Sequence, residues 1–260
     1  MTDPAHPAAA WSPPGRLLVV TAVAAEREAV AAGLRTARDP GDVIADVIAG
    51  GVGPAAAAAA TANALARADV AGDPYRLVVS AGIGGGFAPA APLGSVVVAA
   101  AIVAADLGVR TAEGFTPVEE LGFGTSEHRP PAALGEAVAA ALEAAYGPVL
   151  TVSTVTGTAE RAAELSGRHP GAVAEAMEGF GVAEAATAAG VPVLEIRTVS
   201  NAVGPRDRAA WRIGPALAAL TTAFERLPAV LAEFGKQAGF GKQAPFGKQA
   251  DATEVDAGHG

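Results

Sequence analysis

An α/β domain, with a largely parallel sheet covered by helices on both faces, is the fold class the sequence predicts, and three observations predict it. Short β-branched runs alternate with alanine-rich segments at helical spacing, as in parallel strands joined by crossover helices. Several of the helical segments open on a proline, a residue suited to the first turn because its missing N–H has no partner there anyway. Finally, 260 residues with 51% hydrophobic and 17% charged side chains suffice for one sizeable core and exclude a wholly disordered chain.

Taken in order, residues 1–15 hold four prolines, an early acid and no leading positive charge. They read as a loose tail and not as a secretion signal. Strands are expected at 16–21, 43–49, 76–81, 95–105, 149–153 and 191–200, and helices starting near Ala25, Pro54, Pro131, Thr158, Glu178 and Pro215. The longest apolar run, 95–105, is far shorter than the roughly twenty residues a spanning helix needs. At the C-terminus the unit Phe-Gly-Lys-Gln-Ala recurs three times, starting at Phe234, Phe240 and Phe246. A glycine in every copy and a polar end predict a flexible low-complexity tail over 234–260, so one domain spans 16–233.

Charge and composition bound the function. A net charge of −9 argues against nucleic-acid or anionic-membrane partners, which need a basic surface. There is no cysteine, hence no disulfide, thiolate metal site or cysteine nucleophile, and a cytoplasmic location is expected. The four histidines are scattered without metal-ligand spacing. No metal and no cofactor are expected, and His128 is read as a loop residue that could reach a neighbouring subunit.

Chemistry gathers where strands end, the usual place for ligands in such sheets. The first strand runs into Glu26 and Glu28; acids there suit either a helix dipole or a reaction. The second ends in Gly50-Gly51-Val52-Gly53, and the third in Ala81-Gly82-Ile83-Gly84-Gly85-Gly86. Such runs admit a ligand close to the backbone or simply make a tight turn. Neither is a Walker loop or a dinucleotide fingerprint, since the Lys-Ser/Thr and the glycine spacing are missing. In the last strand Arg197 lies inside an apolar run that ends in Ser200-Asn201. A charge so placed requires a carboxylate partner. Upstream, Glu175-Ala-Met177-Glu178 opens an alanine-rich helix, and Glu178 is either a first-turn acid or a carboxylate kept for sugar hydroxyls.

These segments, in this order, resemble the nucleoside phosphorylase and nucleosidase superfamily, in particular its methylthioadenosine/adenosylhomocysteine nucleosidases, over residues 16–230. The resemblance rests on VVTAVAAE, GGVGPAAAAAAT, SAGIGGGFAPAAPLGSVVVA, AMEG and RTVSN. It implies one three-layer domain around a mixed sheet, cleavage of a purine–ribose bond, and a homo-oligomer. By this resemblance Glu26 deprotonates the attacking water, Arg197 lies near that water, Glu178 binds the ribose hydroxyls, Met177 packs on the sugar, and Asn201 takes the place of an aspartate that serves the base N7. Val52, Ala81, Gly82, Ile83, Val155, Thr156 and Gly157 are its remaining candidate substrate contacts. Phe123 is a candidate for a bulky 5′ group, although a buried loop aromatic is an equal reading. Ile83 departs from the serine many nucleosidases carry there.

Two choices follow from the chemistry. A carboxylate at Glu26 repels phosphate and suits a water proton, which favours hydrolysis. Asn201 cannot give up a proton, but it can donate to N7 or to a carbonyl oxygen. With Val155-Thr156-Gly157-Thr158, it resembles the nucleosidases that release hypoxanthine from a nucleoside bearing a 5′ benzoate group. A methylthioadenosine or inosine nucleosidase, and a purine-binding module without catalysis, are the alternatives. Thr158 itself is explained better as a helix N-cap than as a ligand contact.

Overall fold

The computed structural model describes residues 15–37 and 43–237. Among these there are ten strands and six α-helices; eight strands form a mixed sheet enclosed by helices, the class the sequence predicts, and two make a separate hairpin. The order is β1 (Arg16–Thr21), α1 (Ala24–Thr36), β2 (Ile44–Ala49), α2 (Pro54–Val70), β3 (Tyr75–Gly86), β4 (Val96–Ala104), then β5 (Gly108–Thr111) and β6 (Gly114–Pro117). There follow β7 (Glu127–His128), α3 (Ala132–Leu142), β8 (Ala145–Thr151), α4 (Ala159–Arg168), β9 (Ala174–Ala176), α5 (Gly179–Ala188), β10 (Val193–Ala202) and α6 (Ile213–Gln237).

Strand alternation sorts the helices onto two faces. Leu17, Val19, Leu77, Val79, Leu194 and Ile196 pack with α1, α3 and α6 in one core. Their neighbours Leu18, Val20, Val78, Val193 and Val199 pack with α2 and α5 in another. The sheet also closes on itself, because β10 pairs with both β3 and β4 and β9 joins β8 back to β3.

Three expectations change. The run Gly82–Gly86 is not a loop after the third strand: it continues β3, held by β10 as far as Gly86 and by β9 from Gly85. The hairpin β5–β6 and the short β7 and β9 carry too few apolar residues to stand out from sequence. And α6 runs through Phe234 to Gln237 into the first repeat unit, with Phe234 packed against the core, so the folded part extends beyond 233. The rest of the predicted C-terminal tail and residues 1–14 lie outside the described residues. No helix among the described residues is long and apolar enough to cross a membrane.

Candidate active site

The strands differ in length, and that difference makes the site. β1 pairs with β3 only as far as Ser80, and β9 takes up the same side of β3 only at Gly85. In the gap the backbone N–H of Ile83 donates to Glu26 Oε1 at 2.9 Å, so a side chain supplies what a strand would have supplied. Glu26 sits in the first turn of α1 and is buried. Its Oε2 accepts from the N–H groups of Ala22 and Val23 at 2.9 and 3.2 Å, which satisfies the exposed donors of that helix end.

Glu26 and Arg197 meet over Gly82. A Cβ built there would lie 2.6 Å from Glu26 Oε1 and 2.9 Å from an Arg197 terminal nitrogen, so only glycine fits. Arg197, buried in β10, has its guanidinium committed on three sides. Nε donates to Glu195 Oε1 at 2.9 Å, one terminal nitrogen to Glu178 Oε2 at 3.1 Å, and the other to Ser80 Oγ at 3.1 Å. Burial alone would lower the pKa of this guanidinium, but Glu195, Glu178 and Glu26 together hold it above its ordinary value.

Glu178 caps α5 and faces the start of α2, where its Oε1 accepts from the Gly53 N–H at 3.2 Å. The third carboxylate, Glu195, escaped the sequence reading. It is fully buried, and burial pushes its carboxyl up in spite of Arg197. A Cβ at Gly179 would come within 2.3 Å of both its oxygens. The clue lay in spacing, since residues two apart on a strand share a face and Glu195 is two before Arg197.

About 10 Å further along β3, at a strand rise of about 3.3 Å per residue, Asn201 lies across from Gly85. Ser200 is skipped in the β10–β3 register. Its hydroxyl lies 2.8 Å from Asn201 Oδ1, which leaves the amide nitrogen beside Gly85 and bonded to the Ala202 carbonyl at 3.0 Å. Asn201, Val155 and Thr156 line a cavity of about 240 Å³ with Leu93 and Trp211. A second cavity of about 480 Å³ shares Val155 and Thr156 and is lined by Gly157, Phe115, Arg110 and Arg161. In it Glu164 takes hydrogen bonds from Arg110 and Arg161, which bring its carboxyl down to about 2.

The other candidates are placed around and away from this site. Ala81 packs into the core with Val79 and Ile196. Phe123 is 75% exposed on a turn, and the aromatic that reaches a cavity from this segment is Phe115. Thr156 has both donors occupied, its N–H and hydroxyl going to Glu175. Gly157 accepts from the Arg206 N–H through its carbonyl. Val52 is exposed beside Gly53, and Met177 is half-buried beside Glu178. Thr158 is the N-cap of α4. His128 lies on β7 and not in a loop, bonded to Glu184 at 2.7 Å and against Phe180 within its own chain.

A buried carboxylate–guanidinium cluster on this closed α/β sheet, with an amide further along the same strand lining a cavity, defines a class, and comparison with known proteins agrees. The family model described as the phosphorylase superfamily matches residues 41–234. A methylthioadenosine/adenosylhomocysteine nucleosidase from Colwellia psychrerythraea, solved with adenine, superposes with a TM-score of 0.68 at 20% identity, covering 84% of this chain and 96% of the other. Futalosine hydrolase of Streptomyces coelicolor is 65% identical over 228 residues, covering 83% of this chain and 96% of that protein. The enzyme of the same name from Acidothermus cellulolyticus is 46% identical, covering 93% and 97%. The chain belongs to the phosphorylase superfamily and, within it, to the family of the futalosine hydrolases.

Proposed function

We propose that this chain hydrolyses the N-glycosidic bond of futalosine, releasing hypoxanthine and dehypoxanthinyl futalosine in the route to menaquinone that runs through that nucleoside. The observation that carries the reading is the charge around Gly82. Three carboxylates, Glu26, Glu178 and Glu195, surround the single guanidinium of Arg197. A phosphate dianion would enter a field negative on balance, whereas water would find an acceptor. Arg27, the other cation near this strand end, faces Glu28 at 3.8 Å on the surface.

In this mechanism Glu26 takes a proton from water as the water oxygen attacks the anomeric carbon. The bond to the purine breaks, and its electron pair leaves with the base. The Asn201 amide donates to the base as negative charge develops there, and solvent supplies the proton the base finally carries. Glu178, anchored by Gly53 and Arg197, receives the ribose hydroxyls, and Met177 packs on the sugar. Arg197 keeps two carboxylates in place and lies beside the water. Neither metal nor cofactor enters the step. A cytoplasmic homo-oligomer is the setting we infer.

Base release from futalosine, inosine and methylthioadenosine in phosphate-free buffer tests this. Hypoxanthine release from futalosine, with adenine release at least a hundredfold slower, is expected. Turnover that requires added phosphate would refute hydrolysis. Faster release of adenine would move the chain to the methylthioadenosine type.

A further inference from the structure

The larger cavity, of about 480 Å³, takes no part in the mechanism above, and around it arginines outnumber acids. Arg110 on β5 and Arg161 and Arg168 on α4 converge on Glu164. Arg110 and Arg161 each bring one terminal nitrogen to its carboxylate at 2.8 Å, and Arg168 Nε stands 3.5 Å away. The second acid of this cluster, Asp106, accepts the Ser153 N–H at 2.7 Å. Three guanidinium groups facing two carboxylates leave positive charge in excess, in a chain whose net charge is −9.

Glu164 holds the two cavity-lining guanidinium groups without exhausting them. Each carries five N–H donors in a planar fork, and only one terminal nitrogen of Arg110 and one of Arg161 is committed to Glu164. Their remaining nitrogens have no protein acceptor among the described residues, so donors are fixed in place before any ligand arrives. The same cavity also has an apolar lining in Phe115 and Val155. The Arg168 guanidinium, 4.0 Å from the Phe115 ring centroid and bonded to the Ala105 carbonyl, holds that ring in position. A bare oxyanion would use the cations and leave the apolar surface wet. A ring that bears a carboxylate uses both, and the volume is that of a small-molecule pocket, about 300–1,000 Å³.

We propose that this cavity binds an aromatic carboxylate, with its carboxylate on the free edges of Arg110 and Arg161 and its ring against Phe115 and Val155. Charge-assisted bonds to guanidinium groups supply the strength and the planar fork supplies the orientation. Two sources offer this chemistry: the benzoate carried by the nucleoside itself, and a free aryl acid. Val155 and Thr156 line this cavity and also the one that Asn201 lines, so either occupant stands beside the wall of the other cavity. Only the first source rests on the hydrolase reading.

Titration of benzoate, its uncharged isostere benzamide and inorganic phosphate into the full chain, followed by ligand-observed NMR, tests this. Benzoate should bind the wild type at least fivefold more tightly than benzamide or phosphate does. Its affinity should fall at least fivefold in Arg161→Gln and in Arg110→Gln, the latter a side chain 53% exposed whose replacement leaves the core untouched. Benzoate affinity unchanged in both variants, phosphate bound as tightly as benzoate, or benzoate displaced by saturating hypoxanthine would each overturn the proposal. Futalosine kinetics then separate the two sources. A KM at least fivefold higher in Arg161→Gln at unchanged kcat assigns the cavity to the arm of the nucleoside, and an unchanged KM beside weakened benzoate binding assigns it to a free aryl acid. If the wild type leaves futalosine intact while benzoate binding still depends on the two arginines, the hydrolase reading falls and the aryl-carboxylate site stands.

Discussion

Replacing Glu26 by glutamine changes one atom, and the structure says what that atom does. The carboxylate accepts three backbone N–H groups, from Ala22 and Val23 on one oxygen and from Ile83 on the other. Glutamine offers a single carbonyl oxygen, and its amide nitrogen must then confront either the helix end or Ile83. At least one buried N–H loses its acceptor, and the charge at the helix N-terminus disappears. Loss of a cap costs about 1 kcal/mol, and a hydrogen bond to a charged group contributes about 1.5–3 kcal/mol. A total near 2 kcal/mol is expected. In a domain of this size that lowers Tm by roughly 4–8 °C, too little to unfold the protein at room temperature.

The kinetic loss should be far larger. Removing a general base costs about 10²- to 10⁴-fold, so kcat for hypoxanthine release should fall by at least a hundredfold. Substrate affinity should stay within a few-fold, since Glu178 and Asn201 are untouched. Stopped-time chromatography of hypoxanthine at saturating futalosine, with Kd from calorimetry and Tm from a melt, separates the two effects. A folded variant with kcat within threefold of wild type would refute the role given to Glu26.

Three further outcomes are expected. Gly179→Ala would place a methyl 2.3 Å from both Glu195 oxygens, and overpacking of this kind costs about 1–3 kcal/mol; a melt unchanged from wild type would mean Glu195 moves aside freely. Asn201→Asp should shift the ratio of 6-oxopurine to 6-aminopurine release toward the amino substrate, and an unaltered ratio would place base selection elsewhere. Burial, and then Arg168 and Arg161, hold the pKa of His169 below that of an ordinary imidazole, and its Nε2 is buried without a partner. The folded state therefore favours the neutral ring: its contribution is complete above the unfolded pKa and is lost as pH falls below it. His169→Asn should lose less Tm than wild type between about pH 7.5 and about pH 5.5, and equal losses would contradict this.

The sheet strands and the alternation of helices were legible because burial on both faces leaves long apolar runs, as in 17–20 and 96–104. The need of Arg197 for a carboxylate was legible too, from the cost of an unpaired buried charge. Its partners were not: Glu195 lies in the same strand and Ser80 on β3, which only the sheet sets beside β10. Their roles depend on which strands lie side by side, and β9 reaches β3 across ninety residues of chain through pairings that no local pattern encodes. The glycines misled in the opposite sense. Gly82–Gly86 looked like a turn because glycine weakens strands, yet here small size is what a strand needs when carboxylates and an amide crowd against it.

Helix-end acid and reacting base would be conflicting roles for Glu26 if each needed the whole side chain. The gap beyond Ser80 removes the conflict: Oε2 serves the α1 terminus while Oε1 turns toward Gly82 and Arg197. In the mechanism proposed above, three backbone donors fix this carboxylate before water arrives, so its position would cost no ordering at the moment of reaction. The six-residue length of β1 against the twelve of β3 is therefore as much a part of the candidate site as the glutamate.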